Sequence, residues 1–506
     1  MISQSRMMRR LVSCGLFAVL LFACFFRLDS VPPVWWDEGW TLSVARNWVE
    51  LGHYGRLLGG KPALRGLEAG FPVTASIALG FRVFGIGIFQ ARLVAVMFTL
   101  AAFALLYQVT RRFYNRSIGV ATLLVLIFMN GQVDINPLVV GRQVLGEIPA
   151  LVFLLAGYLC FILAEERLFL FMPATICLWS LALFAKVQAQ PFWAAALLLA
   201  LGLALLRRQW KSAKMFGAAF VGSLALYLCG QALFLRIVPS STVSGLTQIV
   251  AAVLSMRVRL IVLAETLAFG IPTLLGLCWG LWSFLKSKDE IRTHTDLVHF
   301  SFLVLAGSWF TWYVMLSVGW PRYMFPPAFL GSVFVAAMID HWTNHFNLAY
   351  TVEQAASGPK KLRWHRQNLS ALAATVLIAM CLGQTLAILC RAYVIEPDSS
   401  IKDTLHFLNT LTPRKALVET YESELFFLLD RRYHYPPDQI HVDLNRRNSF
   451  GERVKIHYDP LAANPDYLVI GAQSKFWDFY DPYLKSGGAF RLLRTYSRYE
   501  IFERVR

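Results

Sequence analysis

Eleven long apolar runs leave this chain few ways to fold. A helix needs about 20 mostly apolar residues to cross the hydrocarbon core of a bilayer. Runs of that kind fall at 11–27, 92–110, 117–134, 147–164, 168–186, 190–206, 214–236, 260–285, 297–318, 323–340 and 369–391. Lipid offers no hydrogen bonds to backbone N–H and C=O groups, so segments of this length and pattern must be helical. Composition agrees. Of 506 residues 57% are hydrophobic and 16% charged, with a mean hydropathy of +0.51, values that suit a polytopic membrane protein and not a soluble domain. The expected fold is an all-α membrane domain of about eleven transmembrane helices plus interfacial helices, followed by a small C-terminal soluble α/β domain.

Charge sorts the connecting loops. The first run follows MISQSRMMRR, and no small-residue cleavage site comes after it, so it reads as an uncleaved first span. The loops on the N-terminal side carry Arg9 and Arg10, then Arg111, Arg112 and Arg116, then Arg207, Arg208, Lys211 and Lys214. Further along the same side stand Lys286, Lys288 and Arg292, and finally Lys360, Lys361, Arg363 and Arg366. The positive-inside rule assigns that side to the cytoplasm. The outer side then holds 28–91, 135–146, the corner 187–189, 237–259, 319–322 and everything after Arg391. The expected setting is a bacterial inner (plasma) membrane, with the C-terminal domain on the periplasmic or extracellular side.

Two apolar outer segments, 71–90 and 242–258, are broken by charge, glycine or proline and read as interfacial or re-entrant helices. If either spans, the parity changes and the C-terminal domain moves to the cytoplasm. From Arg391 onward there are 17 basic and 16 acidic residues, so the net charge of +17 arises almost entirely before it. Such an excess in short loops points to topology and anionic lipid, and not to nucleic acid. In the segment 392–506, SSIKDTLHFLNTL has helical spacing, KALVETY and DYLVIG are strand-like, and FRLLRTYSRYEIFERV reads as a terminal hairpin. The eight cysteines lie in or beside apolar runs, with no disulfide framework or zinc spacing. The histidines show no metal-ligand spacing, and no glycine-rich loop follows a strand.

The outer loops and outer helix ends carry the informative residues. VPPVWWDEGWTLSVARN, after the first span, sets Asp37 and Glu38 among three tryptophans. Lys61 lies in GGKPALRG of the same loop, and GRQVLGE places Arg142 and Glu147 at the start of the fourth span. Lys186 ends the fifth span, and Arg322 with Tyr323 begins the tenth. Ionisable groups at the membrane boundary are costly and usually face a protein interior or an aqueous cavity. If these spans surround one cavity, two or three carboxylates there meet several cations. Such a site suits a phosphorylated lipid, with Lys and Arg on the phosphate and a carboxylate handling a proton. Plainer readings exist for each residue. Lys186 and Arg322 also suit snorkelling side chains, Arg142 and Glu147 a structural ion pair, and Lys61 a solvated loop lysine.

The pieces WWDEGWTLSVARNWVELGHYG, GGKPAL, FGIGIFQARLVAV, GRQVLGEIPALVF, LFAKVQAQPF and WPRYMFPPAF, in that order, resemble the GT-C membrane glycosyltransferases. The nearest branch is the protein O-mannosyltransferase and lipid A aminoarabinose-transferase group. The resemblance implies a catalytic acid at Asp37, a second acidic position at Glu147, and lipid-phosphate contacts at Lys61, Lys186 and Arg322. Arg142, Tyr323 and Glu38 join them as candidate substrate-binding residues. This chain departs from the family at Gly39-Trp40-Thr41 after the acidic pair, and at Ala63, where a second proline is usual. The implied partners are a polyprenyl-phosphate sugar donor, a lipid, glycan or protein acceptor, and membrane lipid. No cofactor is required, although Asp37 and Glu147 could together hold a divalent cation. A transporter or flippase of a lipid-linked sugar is the alternative; it predicts inverted repeats, which the sequence lacks.

Overall fold

The computed structural model describes residues 15, 18, 20–240, 252–287, 291–347, 349–351, 366–485 and 488–505. Of the first predicted span, residues 20–25 are helical and most of the rest lies outside the described residues. The other ten predicted spans coincide with helices. Among the described residues eight helices are long and apolar enough to cross a membrane, so this is an integral membrane protein. The predicted span 117–134 is shorter than expected. Its helix, Arg116–Phe128, is capped at its start by the Asn115 side chain and is followed by an irregular segment reaching a short turn at Pro137–Val140. The predicted interfacial segment 71–90 contains a helix, Phe71–Phe84. Most of 242–258 lies outside the described residues, and Met256 already opens the next spanning helix, Met256–Lys286.

Helix burial orders the bundle. The segment Pro321–Trp342 is covered on every side, with all of its apolar window buried, and so forms the centre. Trp210–Ile237 and Leu369–Val394 keep only 17% and 22% of theirs buried, and so present most of their length outward. The last span runs to Val394, beyond the predicted end at 391.

After the first span comes helix α1, Trp36–Leu51, which carries the acidic pair. Its start is fixed by the Trp35 backbone N–H donating to Glu38 Oε2 at 2.8 Å, and its end by Gly52 in the left-handed region, with φ 68°. A short antiparallel hairpin of β1 (Leu57–Leu58) with β2 (Lys61–Pro62) follows, turning at Gly59 and Gly60.

Beyond the last span a five-stranded mixed sheet forms from β3 (Leu417–Thr420), β4 (Arg432–His434), β5 (Tyr467–Ile470), β6 (Phe490–Thr495) and β7 (Glu500–Arg504), in the order β4-β3-β5-β7-β6. β3 runs parallel to β4 and β5, while β5–β7 and β7–β6 are antiparallel. The predicted hairpin is β6–β7, and both predicted strands are present. The predicted helix begins at Ser400–His406 and continues through Phe407–Leu411.

The apolar core of this domain also takes in Trp36 and Trp40 of α1, so one helix is shared between the membrane part and the sheet. The docking is close. Trp36 Nε1 donates to the Tyr421 carbonyl at 2.7 Å, Ser423 Oγ donates to the Trp36 carbonyl, and a Cβ at Gly39 would overlap the Ser423 carbonyl. Arg56 and Asp438 make a second clamp, a buried ion pair at 2.6 Å with the guanidinium over the Trp40 and Tyr435 rings.

Candidate active site

Where α1, one set of span ends and the C-terminal domain meet there is a cavity of about 1810 Å³. Sites for small ligands measure roughly 300–1,000 Å³, so this one has room for a considerably larger molecule. Its membrane-side wall is apolar, with Phe184, Phe192, Phe234, Ile261, Trp312 and Met315. From the C-terminal domain its wall takes His441, Asn448 and Gln473 together with Phe476 and Trp477.

Two ion pairs stand in this cavity. Asp37, in the first turn of α1, pairs with Arg322 at the head of the central helix. Glu147, the first residue of helix Glu147–Leu163, accepts from Lys186 Nζ at 2.7 Å. The helix N-terminus favours the Glu147 carboxylate. Lys186 is held where helix Leu168–Ala185 ends and the chain turns the corner Val187–Ala189. Tyr323 joins the two pairs through its ring, which lies 5.8 Å from Lys186 Nζ and 5.7 Å from the Arg322 guanidinium carbon. Arg322 is also close enough to Glu147 for their charges to interact. The result is a compact patch of two carboxylates and two cations above an apolar recess. The cations suit a phosphate, and the carboxylates suit a proton acceptor and a polar substrate group.

His441 packs on the Trp36 ring, with centroids 4.7 Å apart, and shares a hydrogen bond of 2.8 Å with Tyr421 through Nδ1. Burial pushes its pKa down from 6.5 to about 4, against the pull of Asp37 and Asp438, so the ring is neutral at pH 7. It is a polar wall, and not a third cation.

The family described as Dolichyl-phosphate-mannose-protein mannosyltransferase matches residues 71–230, a stretch that includes Glu147 and Lys186. The ArnT of Cupriavidus metallidurans, in its structure bound to undecaprenyl phosphate, covers 97% of this chain and 98% of its own, with a TM-score of 0.65 and 16% identity. The archaeal oligosaccharyltransferase AglB of Archaeoglobus fulgidus, in complex with an inhibitory peptide and a dolichol-phosphate, covers 91% of this chain and 69% of its own, with a TM-score of 0.53 and 13% identity. No curated protein matches the sequence. The fold is of the GT-C type.

Within this GT-C fold the cavity brings together Asp37, Glu147, Lys186, Arg322 and Tyr323, and leaves out three of the candidates. Glu38 is a correction. It is fully buried and its oxygens accept from Trp35 N, from Val144 N at 2.9 Å, and from Arg92 Nε and Nη2 at 3.2 and 2.8 Å. Those four bonds make it a structural residue with nothing left for a substrate. Arg142 is also buried; it donates to the Phe26 carbonyl and lies over the Tyr393 ring, so it ties the first and last spans together and does not face the cavity. It is not paired with Glu147 either. Lys61 sits exposed on the two-strand hairpin, outside the cavity wall.

The loop between α1 and helix Phe71–Phe84 instead presents Arg65 and Glu68 to the cavity, with Asp134 and Arg257 further around the wall. Only the position of Arg65 and Glu68, a few residues past the Lys61-Pro62 pair, hinted at them in the sequence. His441 and Gln473 carried no signal, because they reach the cavity only through the docking of the C-terminal domain.

Proposed function

We propose that the protein is an integral membrane glycosyltransferase that moves a sugar from a polyprenyl-phosphate donor to an acceptor, with inversion at the anomeric carbon. The observation that carries this reading is the meeting of Asp37–Arg322 and Glu147–Lys186 at the polar mouth of one large apolar cavity. The two similar structures named above, ArnT with undecaprenyl phosphate and AglB with a dolichol-phosphate, support a donor of this class, as does the mannosyltransferase family match.

The prenyl chain occupies the apolar recess, and its phosphate lies against Lys186 and Arg322. Asp37 takes the proton from the acceptor hydroxyl or amine. The acceptor oxygen or nitrogen bonds to the anomeric carbon from the face opposite the phosphate. The bond from that carbon to the phosphate oxygen breaks, and its electron pair stays on the phosphate. Arg322 and Lys186 stabilise the charge that builds up there, so no strong general acid is needed. Arg322 touches Asp37 as well, which sets the base beside the leaving group. Glu147 holds Lys186 in place and is available to orient the acceptor.

Neither a cofactor nor a divalent cation is part of this proposal. Each cavity carboxylate considered for a metal already faces a basic side chain, and a cation there would have to compete with Arg322 and Lys186.

The charges at the helix ends support an orientation. The cavity is lined by residues near Lys186, Gln190, Arg257, Met315 and Arg322. The opposite ends of these and neighbouring helices carry Arg111, Arg112, Arg207, Arg208, Lys286 and Arg292. With the basic ends cytoplasmic, the cavity and the C-terminal domain face the periplasm or cell exterior of a bacterial plasma membrane. The acceptor is then a lipid, glycan or protein of the envelope.

The test is D37N in purified, folded protein, assayed with polyprenyl-phosphate sugars. Turnover should fall by about 10²–10⁴, the usual contribution of a positioned general base. Undiminished turnover removes Asp37 as the base. A wild-type protein that binds no polyprenyl phosphate removes the reading altogether.

A further inference from the structure

Two cavity carboxylates, Glu68 and Asp134, have no part in the transfer chemistry above, and Asp134 already accepts from Gln132 Nε2 at 3.0 Å. Glu68 lies in the loop before helix Phe71–Phe84 and lines the same cavity as Asp37 and Lys186. Its side chain is 1% exposed. Oε2 accepts from the Gly66 backbone N–H at 2.9 Å, but Oε1 accepts no hydrogen bond; its nearest cation is Arg65 Nε, at 3.5 Å and without hydrogen-bond geometry. Burial pushes the carboxyl above its ordinary range, against the pull of Arg56 and Arg65. A buried acceptor left open is costly, and here the opening belongs to a residue of the cavity wall.

The loop that carries Glu68 is held rigidly between the two halves of the site. Ala69 N donates to Thr41 Oγ1 at 3.1 Å, one helical turn along α1 from Asp37. Gly70 packs directly on the Phe184 carbonyl, just before Lys186, and a Cβ there would overlap it. Gly66 packs in the same way against the Arg56–Asp438 pair. An anion is disfavoured beside a carboxyl group, and the phosphate already has Lys186 and Arg322. What Glu68 lacks is a hydrogen-bond donor, and the glycosyl group of the donor carries several.

Resting on the function proposed above, we infer that Glu68 is a specificity-determining residue whose Oε1 accepts a hydrogen bond from a hydroxyl or amino group on the sugar of the lipid-linked donor. In E68Q the amide oxygen keeps the Gly66 N–H bond, and the NH2 group takes the place of Oε1. A protonated amino group then loses its acceptor, and a hydroxyl must turn to accept from a neutral amide in place of the stronger bond to a carboxylate, so recognition weakens without changing the size of the side chain.

The experiment compares two probes on the full chain in detergent or nanodiscs. One is bare undecaprenyl phosphate; the other is a panel of undecaprenyl-phosphate sugars bearing glucose, mannose, galactose or 4-amino-4-deoxyarabinose. Wild type should bind at least one sugar-bearing probe more tightly than the bare lipid. E68Q should lose about tenfold or more of that affinity and leave binding of the bare lipid unchanged. E68D, which keeps the acid but shortens its reach, should show the same split and decides the matter if E68Q does not fold.

Equal weakening of both probes in the folded variants, no change in either, or no preference for a sugar in wild type overturns the inference. So does a rise in acceptor KM with donor binding intact, which would assign Glu68 to the acceptor. Loss of bare-lipid binding by wild type is a different failure, that of the proposed function itself.

Discussion

Asp37 and Glu38 are neighbours of identical charge with opposite roles. Adjacent side chains on a helix point roughly 100° apart, so the packing of α1 sends one to the cavity and the other into the protein. Glu38 is 0% exposed and pairs with Arg92, also 0% exposed, which in turn donates to the Leu28 and Pro32 carbonyls. Removing one partner of such a pair leaves the other charge buried and alone, at a cost of about 3–5 kcal/mol. Glu38→Ala is therefore expected to lower the melting temperature of the purified protein sharply, whereas D37N should melt close to wild type while losing turnover. Equal melting of E38A and wild type would contradict the structural role. The family resemblance marked Asp37 as the acid, but nothing in the sequence showed that Glu38 is turned into the protein. That choice depends on Val144 and Arg92, residues distant along the chain that no local pattern connects to Glu38.

Among the elements, the spanning helices were the most legible, because lipid demands long apolar runs. The short strands and the terminal hairpin of the C-terminal domain were legible from their alternation and bounding turns. The loop 52–70 was not. It has no periodicity, and its conformation is set by partners on other elements, so the sequence singles out Lys61 and gives no sign that Arg65 and Glu68 line the cavity. The docking of α1 was also hidden, although Gly39 was in plain view. Gly39 lies against the Ser423 carbonyl with no room for a methyl group, and it follows Asp37 within the same helical turn. Gly39→Ala should push α1 away from the C-terminal domain, with a cost typical of overpacking, about 1–3 kcal/mol, and a fall in turnover as Asp37 shifts relative to Arg322. Gly217→Ala is the control, since a Cβ there meets nothing within 4 Å. If G39A and G217A behave alike in melting and turnover, the docking does not position Asp37.

At the scale of the whole molecule, the membrane bundle and the sheet are not separable pieces joined by a tether. Trp36 and Trp40 belong to the apolar core of the C-terminal domain, and Arg56 belongs to its buried ion pair with Asp438. Residues after Val394, taken alone, would lack both tryptophans and leave Asp438 without its partner. The cavity would in turn lose His441, Gln473 and Trp477 from its wall. A segment comprising 395–506 is therefore expected to show no cooperative melt by itself and to aggregate through the uncovered face. Produced in the same cells as a separate 1–394 chain, it should copurify with that chain and restore transfer, since the contacts that join them are side-chain contacts and need no covalent link. A cooperative melt of isolated 395–506, together with transfer by 1–394 alone, would show instead that α1 holds its place without the sheet.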